Sequence, residues 1–221
     1  MAIDLIIVGD SHGRALSEGA RRLGLNVREV TFSGNYWHNG RFQYRRYGFR
    51  VVRVGQAQQQ LADLQQELGV ADIMTAGLPV LTTMGFHLGR LVPPIGWYGH
   101  SSNPDDLETD PGARFLSADF LCDYVDFYRA KHLQCASRMS RAGKLIVVAP
   151  PVLFERPNYA IVRDHIKQRL IEAGVELYEP MENLPCIDGV LAPELVAPDG
   201  THGNGDYGRL VVEGMQTQGL L

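Results

Sequence analysis

A serine, an aspartate and a histidine stand near opposite ends of this chain, in settings that could bring them together. Gly9-Asp10-Ser11-His12 follows the first apolar run, and Asp199-Gly200-Thr201-His202 lies about twenty residues before Leu221. These side chains can activate a serine hydroxyl, attack a carbonyl and form a covalent serine ester. Ser11 falls where a strand turns into a helix, so unpaired helix amides and their partial positive charge lie beside it. Gly9 suits a tight turn there. The bland alternative is that Gly-Asp-Ser is only a turn and a helix cap. The three-residue spacing of Asp199 and His202 lets a carboxylate reach the imidazole if the segment turns just before a helix. The bland alternative there is an Asp-Gly turn with an incidental histidine.

The elements that must position these groups can be laid out along the chain. Ile3–Val8 is a nearly continuous apolar run, as for a strand buried on both faces of a parallel sheet. A helix is expected over Arg14–Leu23, with Gly24 as its stop, and a second strand over Val27–Phe32. The opening is therefore strand, helix, strand. Further helices are expected over Ala57–Leu68, Ala118–Arg141, Tyr159–Ala173 and Tyr207–Met215, and strands over Val80–Met84, Lys144–Ala149 and Val175–Tyr178. In the Ala118–Arg141 helix, Leu121, Val125, Tyr128, His132 and Cys135 lie near one stripe. The sum is an α/β fold: a three-layer α/β/α sandwich on a flavodoxin-like five-stranded parallel sheet, one domain over residues 1–221. Ligands of such sheets bind beyond the carboxyl ends of the strands. Ser11 after the first strand, Gly34 after the second and Gly85 after the third should share that rim.

Composition bounds the rest. Hydrophobic residues make up 45% of the 221 residues and charged residues 21%, with a net charge of −4. That balance gives no electrostatic case for nucleic acid or an anionic membrane. Cys122, Cys135 and Cys186 lack metal-site spacing and fit a reducing compartment. There is no signal-peptide pattern, so a cytoplasmic protein is expected. No phosphate loop, dinucleotide fingerprint or metal cluster is evident, and no cofactor or metal is expected.

The motifs together resemble the SGNH hydrolase superfamily, the GDSL-type esterases, lipases and acylhydrolases. Gly9-Asp10-Ser11 matches that family's nucleophile block, Gly34 its glycine block, and Asp199-x-x-His202 its last block. The resemblance implies metal-free hydrolysis or transfer of acyl esters, with Ser11, His202 and Asp199 as a catalytic triad. It implies oxyanion donors at the Ser11 and Gly34 amides. The third block departs from the family's Gly-x-Asn: here it is Gly85-Phe86-His87. His87 is the expected third oxyanion donor through a ring nitrogen, with a structural histidine as the alternative. Asn35 and Asn103 are rival donors. Gly-Asp-Ser-His is also similar to the first block in SGNH domains of sugar O-acyltransferases; a helix-start histidine is the favoured account of His12.

Asp10, His12, Asn35, Trp97 and Tyr98 are the residues expected around the substrate. Trp97 and Tyr98 belong to a loop over Val92–Ser117 rich in Gly, Pro, Ser, Asn and Asp, long enough to be a lid. Arg41–Arg50 interleaves aromatic rings with arginines. It is expected to be an irregular surface segment or self-association face, with an anionic-ligand site as the rarer alternative. The function expected is a carboxylic-ester hydrolase acting on a small-molecule or carbohydrate acyl ester. It would have no nucleic-acid or membrane partner, and homo-oligomers are open. The alternatives are a carbohydrate O-acyltransferase using the same triad and a non-catalytic binding module.

Overall fold

A computed structural model describes residues 2–91, 99–109, 112, 114–154 and 158–221. In chain order the strands are β1 (Leu5–Gly9), β2 (Val27–Thr31), β3 (Phe42–Arg45), β4 (Gly48–Val51), β5 (Val80–Thr82), β6 (His100–Ser101), β7 (Arg114–Phe115), β8 (Leu145–Val148), β9 (Glu176–Tyr178), β10 (Cys186–Ile187) and β11 (Val190–Leu191). The helices are α1 (His12–Arg22), α2 (Gly34–His38), α3 (Gly55–Leu68), α4 (Leu88–Leu91), α5 (Pro104–Thr109), α6 (Ala118–Ala142), α7 (Tyr159–Glu172) and α8 (Gly205–Thr217). Five strands form one parallel sheet in the order β2-β1-β5-β8-β9. This is the flavodoxin-like α/β arrangement expected.

Alternation along the strands divides the core into two layers. Ile6, Val8, Val80 and Val147 point to one face, where they meet Leu61 of α3, Val125 of α6 and Ile166 of α7. Leu5, Ile7, Leu81 and Ile146 point to the other, against Leu16 and Ala20 of α1 and Val211 and Met215 of α8. Both faces are covered, which is why these strands are apolar runs and not alternating ones. Each such aliphatic side chain contributes roughly 1.5–3 kcal/mol by leaving water.

Two helices meet at backbone distance. A Cβ placed on Gly208 of α8 would lie 1.7 Å from the Ala15 carbonyl oxygen of α1. One on Gly19 would lie 2.1 Å from the Arg209 amide nitrogen. Only glycine fits this contact, and it aligns the starts of the helices that follow Ser11 and His202.

The Arg41–Arg50 segment is not irregular. It forms the antiparallel hairpin β3–β4, with Phe42 and Phe49 fully buried. Phe42 packs 4.7 Å, centroid to centroid, from Trp37 and 5.2 Å from His132. The aromatic side chains on one face of the ribbon anchor it, while Arg45, Arg46 and Tyr47 are exposed at its turn. On α6, Leu121, Val125, His132 and Cys135 are buried as expected, but Tyr128 is 47% exposed and Arg129 takes the inward position instead. Of the Val92–Ser117 region, expected as a long loop or lid, residues 92–98, 110, 111 and 113 lie outside the described residues, and the described part holds α5 and the short parallel pair β6–β7. Among the described residues no helix is long and apolar enough to cross a membrane.

Candidate functional site

Ser11 stands at the N-cap of α1, yet its hydroxyl makes no capping bond to that helix. Its Oγ lies instead 2.7 Å from His202 Nε2. The His202 Nδ1 lies 2.7 Å from Asp199 Oδ2. Asp199 Oδ1 accepts a bond from the Thr201 amide at 2.9 Å. That amide, and then His202, hold the Asp199 carboxyl down to about 2. The geometry defines the tautomer. Nδ1–H donates to the carboxylate, which leaves Nε2 to accept the Ser11 proton.

The segment carrying His202 is stapled locally. The Ala197 amide donates to the His202 carbonyl at 2.8 Å, and Gly200 turns the chain with φ +66°. Asn204 caps α8: its Oδ1 accepts from the Asp206 and Tyr207 amides, while its Nδ2 donates to the Glu194 carbonyl at 2.7 Å. The side chain of one capping residue therefore ties the helix start to the preceding loop.

A second aspartate–histidine pair lies behind the serine. The Asp10 side chain is only 1% exposed. It accepts from the His12 amide at 3.2 Å and the Thr83 hydroxyl at 3.1 Å, and meets His87 Nδ1 at 2.5 Å. Burial pushes this carboxyl up. The hydrogen bond from His87, the nearby His12 and His87 rings and the Thr83 hydroxyl outweigh burial, and the net shift is downward. Asp10 was expected near the substrate; its side chain is buried and bonded to His12, Thr83 and His87. A Cβ on Gly9 would sit 3.3 Å from Thr83 Oγ1, a tight contact to which the Thr83 side chain would have to yield by a few tenths of an ångström.

His87 has φ +58°, in the left-handed region that few non-glycine residues occupy. Arg129 holds this loop from below. Its fully buried guanidinium donates to the Phe86 carbonyl at 3.0 Å, the His87 carbonyl at 3.5 Å and the His38 carbonyl at 3.4 Å. Burial lowers the Arg129 pKa to about 10, with Tyr124 and Asp10 opposing that fall.

Ser11, His12, Gly34, His87, Thr201 and His202 line the mouth of a cleft of about 1160 Å³. Its far wall is largely apolar: Pro150, Pro151, Val152, Leu153 and Phe154, with Tyr159 of α7. The His12 ring packs 4.8 Å from the His202 ring. Asn35 is adjacent to Gly34, but its side chain accepts from Asn39 at 3.0 Å and is absent from the described cleft lining. Asn103 is used to start α5, accepting from the Asp105 amide and bonding Asp106. Trp97 and Tyr98 lie outside the described residues. No group of three His, Cys, Asp or Glu side chains among the described residues could hold a metal ion.

Thr83, Arg129 and the 150–154 wall were not expected at the site. Arg129 had a faint signal, four residues after Val125 on the inward stripe of α6. Pro150-Pro151 had a positional one, at the end of β8 on the sheet rim.

No protein-family model matches the chain, and no curated protein matches it. Solved structures do. A GDSL-like lipase from Bacteroides thetaiotaomicron aligns over 98% of this chain and 87% of its own, at 12% identity and TM-score 0.40. An acetyl xylan esterase from the rumen bacterium Butyrivibrio proteoclasticus aligns over 100% of this chain and 65% of its own, at 13% identity and TM-score 0.35.

Proposed function

We propose that this protein is a serine hydrolase of carboxylic esters, of the SGNH type, working through a Ser11–His202–Asp199 triad and a covalent acyl-enzyme. One observation carries the reading: the unbroken chain from Ser11 Oγ to His202 Nε2 and from His202 Nδ1 to Asp199, both links 2.7 Å, at the mouth of a large cleft. A serine serving only as a helix cap would spend its hydroxyl on its own helix; this one does not.

In the proposed cycle, Ser11 Oγ attacks the ester carbonyl carbon while its proton passes to His202 Nε2. The carbonyl π electrons move onto oxygen. The Ser11 and Gly34 amides and the His87 ring are the proposed donors to that oxyanion. Collapse breaks the bond to the alcohol, which leaves with the proton from His202. Water, deprotonated by the same nitrogen, then attacks the acyl-serine; the acyl–Oγ bond breaks, Ser11 Oγ takes the proton back from His202 and the acid is released. Asp199 holds the ring and balances the imidazolium charge.

The test is reaction with a fluorophosphonate probe and turnover of p-nitrophenyl esters of graded chain length. Labelling and turnover that disappear in Ser11→Ala support the reading. Equal labelling or turnover in the two proteins would sink it.

A further inference from the structure

We infer that the cavity between the β3–β4 ribbon and α6 is a binding site for a compact, multiply charged phosphate-bearing anion, of the size and charge of a diphosphate. This inference does not rest on the ester-hydrolase reading. Among the described residues, the cavity and the Ser11 cleft share no lining side chain.

A ribbon and one helix stripe build this site. The cavity holds about 500 Å³, within the range of small-ligand pockets. Gln43, Arg45 and Arg46 line it from the ribbon and its turn. Lys131, Gln134 and Arg138 line it from α6, and their spacing sets them on one face of that helix. The ribbon is fixed against α6, with Phe42 buried 5.2 Å from the His132 ring. Two cations are tied down by its backbone. Arg138 donates to the Tyr44 carbonyl at 3.1 Å, and Lys131 Nζ donates to the Gly40 carbonyl. Each keeps further N–H donors, since a guanidinium and an ammonium both carry several.

The charge here is unbalanced. Among the described residues no carboxylate lines the cavity. The chain does not lack carboxylates, with 25 acidic residues against 21 basic ones. Elsewhere Arg21, Arg22, Arg28, Arg163, Arg169 and Arg209 each pair with one. Arg45, Arg46, Lys131 and Arg138 form no ion pair among the described residues; Arg46 stacks 5.6 Å over the Tyr47 ring instead. Asp72, beneath the ribbon, is already engaged: it accepts from the Tyr44 hydroxyl at 2.5 Å and from the Phe49 and Met74 amides. Burial lowers the Lys131 pKa, and the Arg41 and Arg45 charges add to that fall while Cys135 opposes it. Like charges gathered without a counter-charge repel one another, and an anion between them relieves that repulsion.

The donor set names the ligand chemistry. Guanidinium, ammonium and carboxamide groups all donate, and guanidinium forks match the oxygens of phosphate. Each phosphoryl group carries about 1.5–2 negative charges near pH 7, so two of them balance the four cations. A free diphosphate and a phosphorylated lipid headgroup offer the same chemistry. The concave shape of the site favours the free ligand, which can be surrounded by the ribbon and the helix.

The experiment is isothermal titration calorimetry of the full chain with pyrophosphate and with inorganic phosphate, on wild type, R45Q/R46Q, K131Q and R22Q. Arg45 and Arg46 are exposed and make no hydrogen bond among the described residues, so R45Q/R46Q should keep the urea midpoint of wild type. R22Q is the control, because Arg22 lies on α1 in the opposite layer. Wild type and R22Q should bind one pyrophosphate per chain, more tightly than inorganic phosphate. R45Q/R46Q should lose at least about tenfold in affinity, and K131Q a similar factor. Absence of pyrophosphate binding by wild type at low ionic strength overturns the inference. So does binding that R45Q/R46Q retains in full, or that R22Q weakens equally, since unspecific attraction between charges behaves in that way. Equal affinity for phosphate and pyrophosphate overturns it as well. Should R45Q/R46Q fail to fold, K131Q decides by the same criterion. Co-sedimentation with phosphatidylcholine vesicles carrying phosphatidylinositol bisphosphate, without binding of pyrophosphate, overturns the inference in favour of a lipid headgroup.

Discussion

Gly208→Ala should damage the site without touching any residue in it. Ser11 immediately precedes α1 and His202 lies just before α8, so the bond between them depends on how closely these helices pack. A methyl on Gly208 would lie 1.7 Å from the Ala15 carbonyl oxygen, and real Cβ atoms essentially never come within 3.0 Å. The helices must therefore separate locally by about 1.3 Å, the difference between those distances. Overpacking of this kind costs about 1–3 kcal/mol, against a gain of about 1 kcal/mol in helix propensity. A net loss of up to about 2 kcal/mol is expected in urea unfolding. Misplacing catalytic groups by about 1 Å costs on the order of 10² in rate, or about 2.7 kcal/mol in activation free energy. Both kcat/KM on p-nitrophenyl esters and the rate of fluorophosphonate labelling should fall by that factor. Gly55→Ala is the control, since a Cβ there meets nothing within 4 Å. A Gly208→Ala protein with the unfolding midpoint and labelling rate of Gly55→Ala would refute the reasoning.

Further outcomes follow from the same geometry. Ser11→Ala should lower kcat by roughly 10⁶ and Asp199→Asn by about 10⁴; a reduction under tenfold in single-turnover assays excludes the triad. Arg129→Met should cost about 1–3 kcal/mol in urea unfolding, because it removes the donors that Arg129 supplies to the Phe86 and His38 carbonyls; a loss well below about 1 kcal/mol would show that water replaces it. Asp199 is held at about 2 against an ordinary 3.8. A depressed carboxyl stabilises the fold above its unfolded value and loses that contribution as pH falls. The small stability advantage of wild type over Asp199→Asn should therefore close between about pH 4 and 2, and an advantage still constant at pH 2 contradicts the assignment. Asp10→Asn, by contrast, should destabilise by several times more than Asp199→Asn at pH 7, since one carboxylate is 1% exposed and the other 54%. Equal unfolding midpoints for these two variants would refute that contrast.

The sheet was legible in the sequence because its strands are buried on both faces. Such runs as Leu5–Val8 and Leu145–Val148 have no polar alternation to confuse them, and Gly24, Gly69 and Gly174 stop the helices that follow. The β3–β4 hairpin was not legible. Its arginines at 41, 45, 46 and 50 suggest a surface segment, and only the spacing of Phe42 and Tyr44 hints at a ribbon with one face inward. Burial of Phe42 depends on Trp37 and His132, from α2 and α6. No local pattern encodes that partnership.

The same division runs through the site. Ser11, Asp199 and His202 can be placed from sequence because each sits at an element boundary, where strand ends and helix starts mark the rim. The Asp10 network spans 73 residues to Thr83 and 77 to His87, and its chemistry exists only once β1 and β5 pair. Adjacent residues at the end of β1 then serve different partners. Asp10 turns inward toward the β5 end and, through His87, toward the layer of α2 and α6; Ser11 turns toward the start of α8. Consecutive side chains at a strand end diverge in this way, so one dipeptide joins the Ser11–His202 half of the site to the His87 half. The halves hang on opposite layers: α1 and α8 set the Ser11–His202 distance, while Arg129 sets the His87 loop. Gly208→Ala and Arg129→Met, one in each layer, should therefore combine additively in unfolding free energy. In kcat/KM the two changes meet at Asp10-Ser11, where coupling between them is expected.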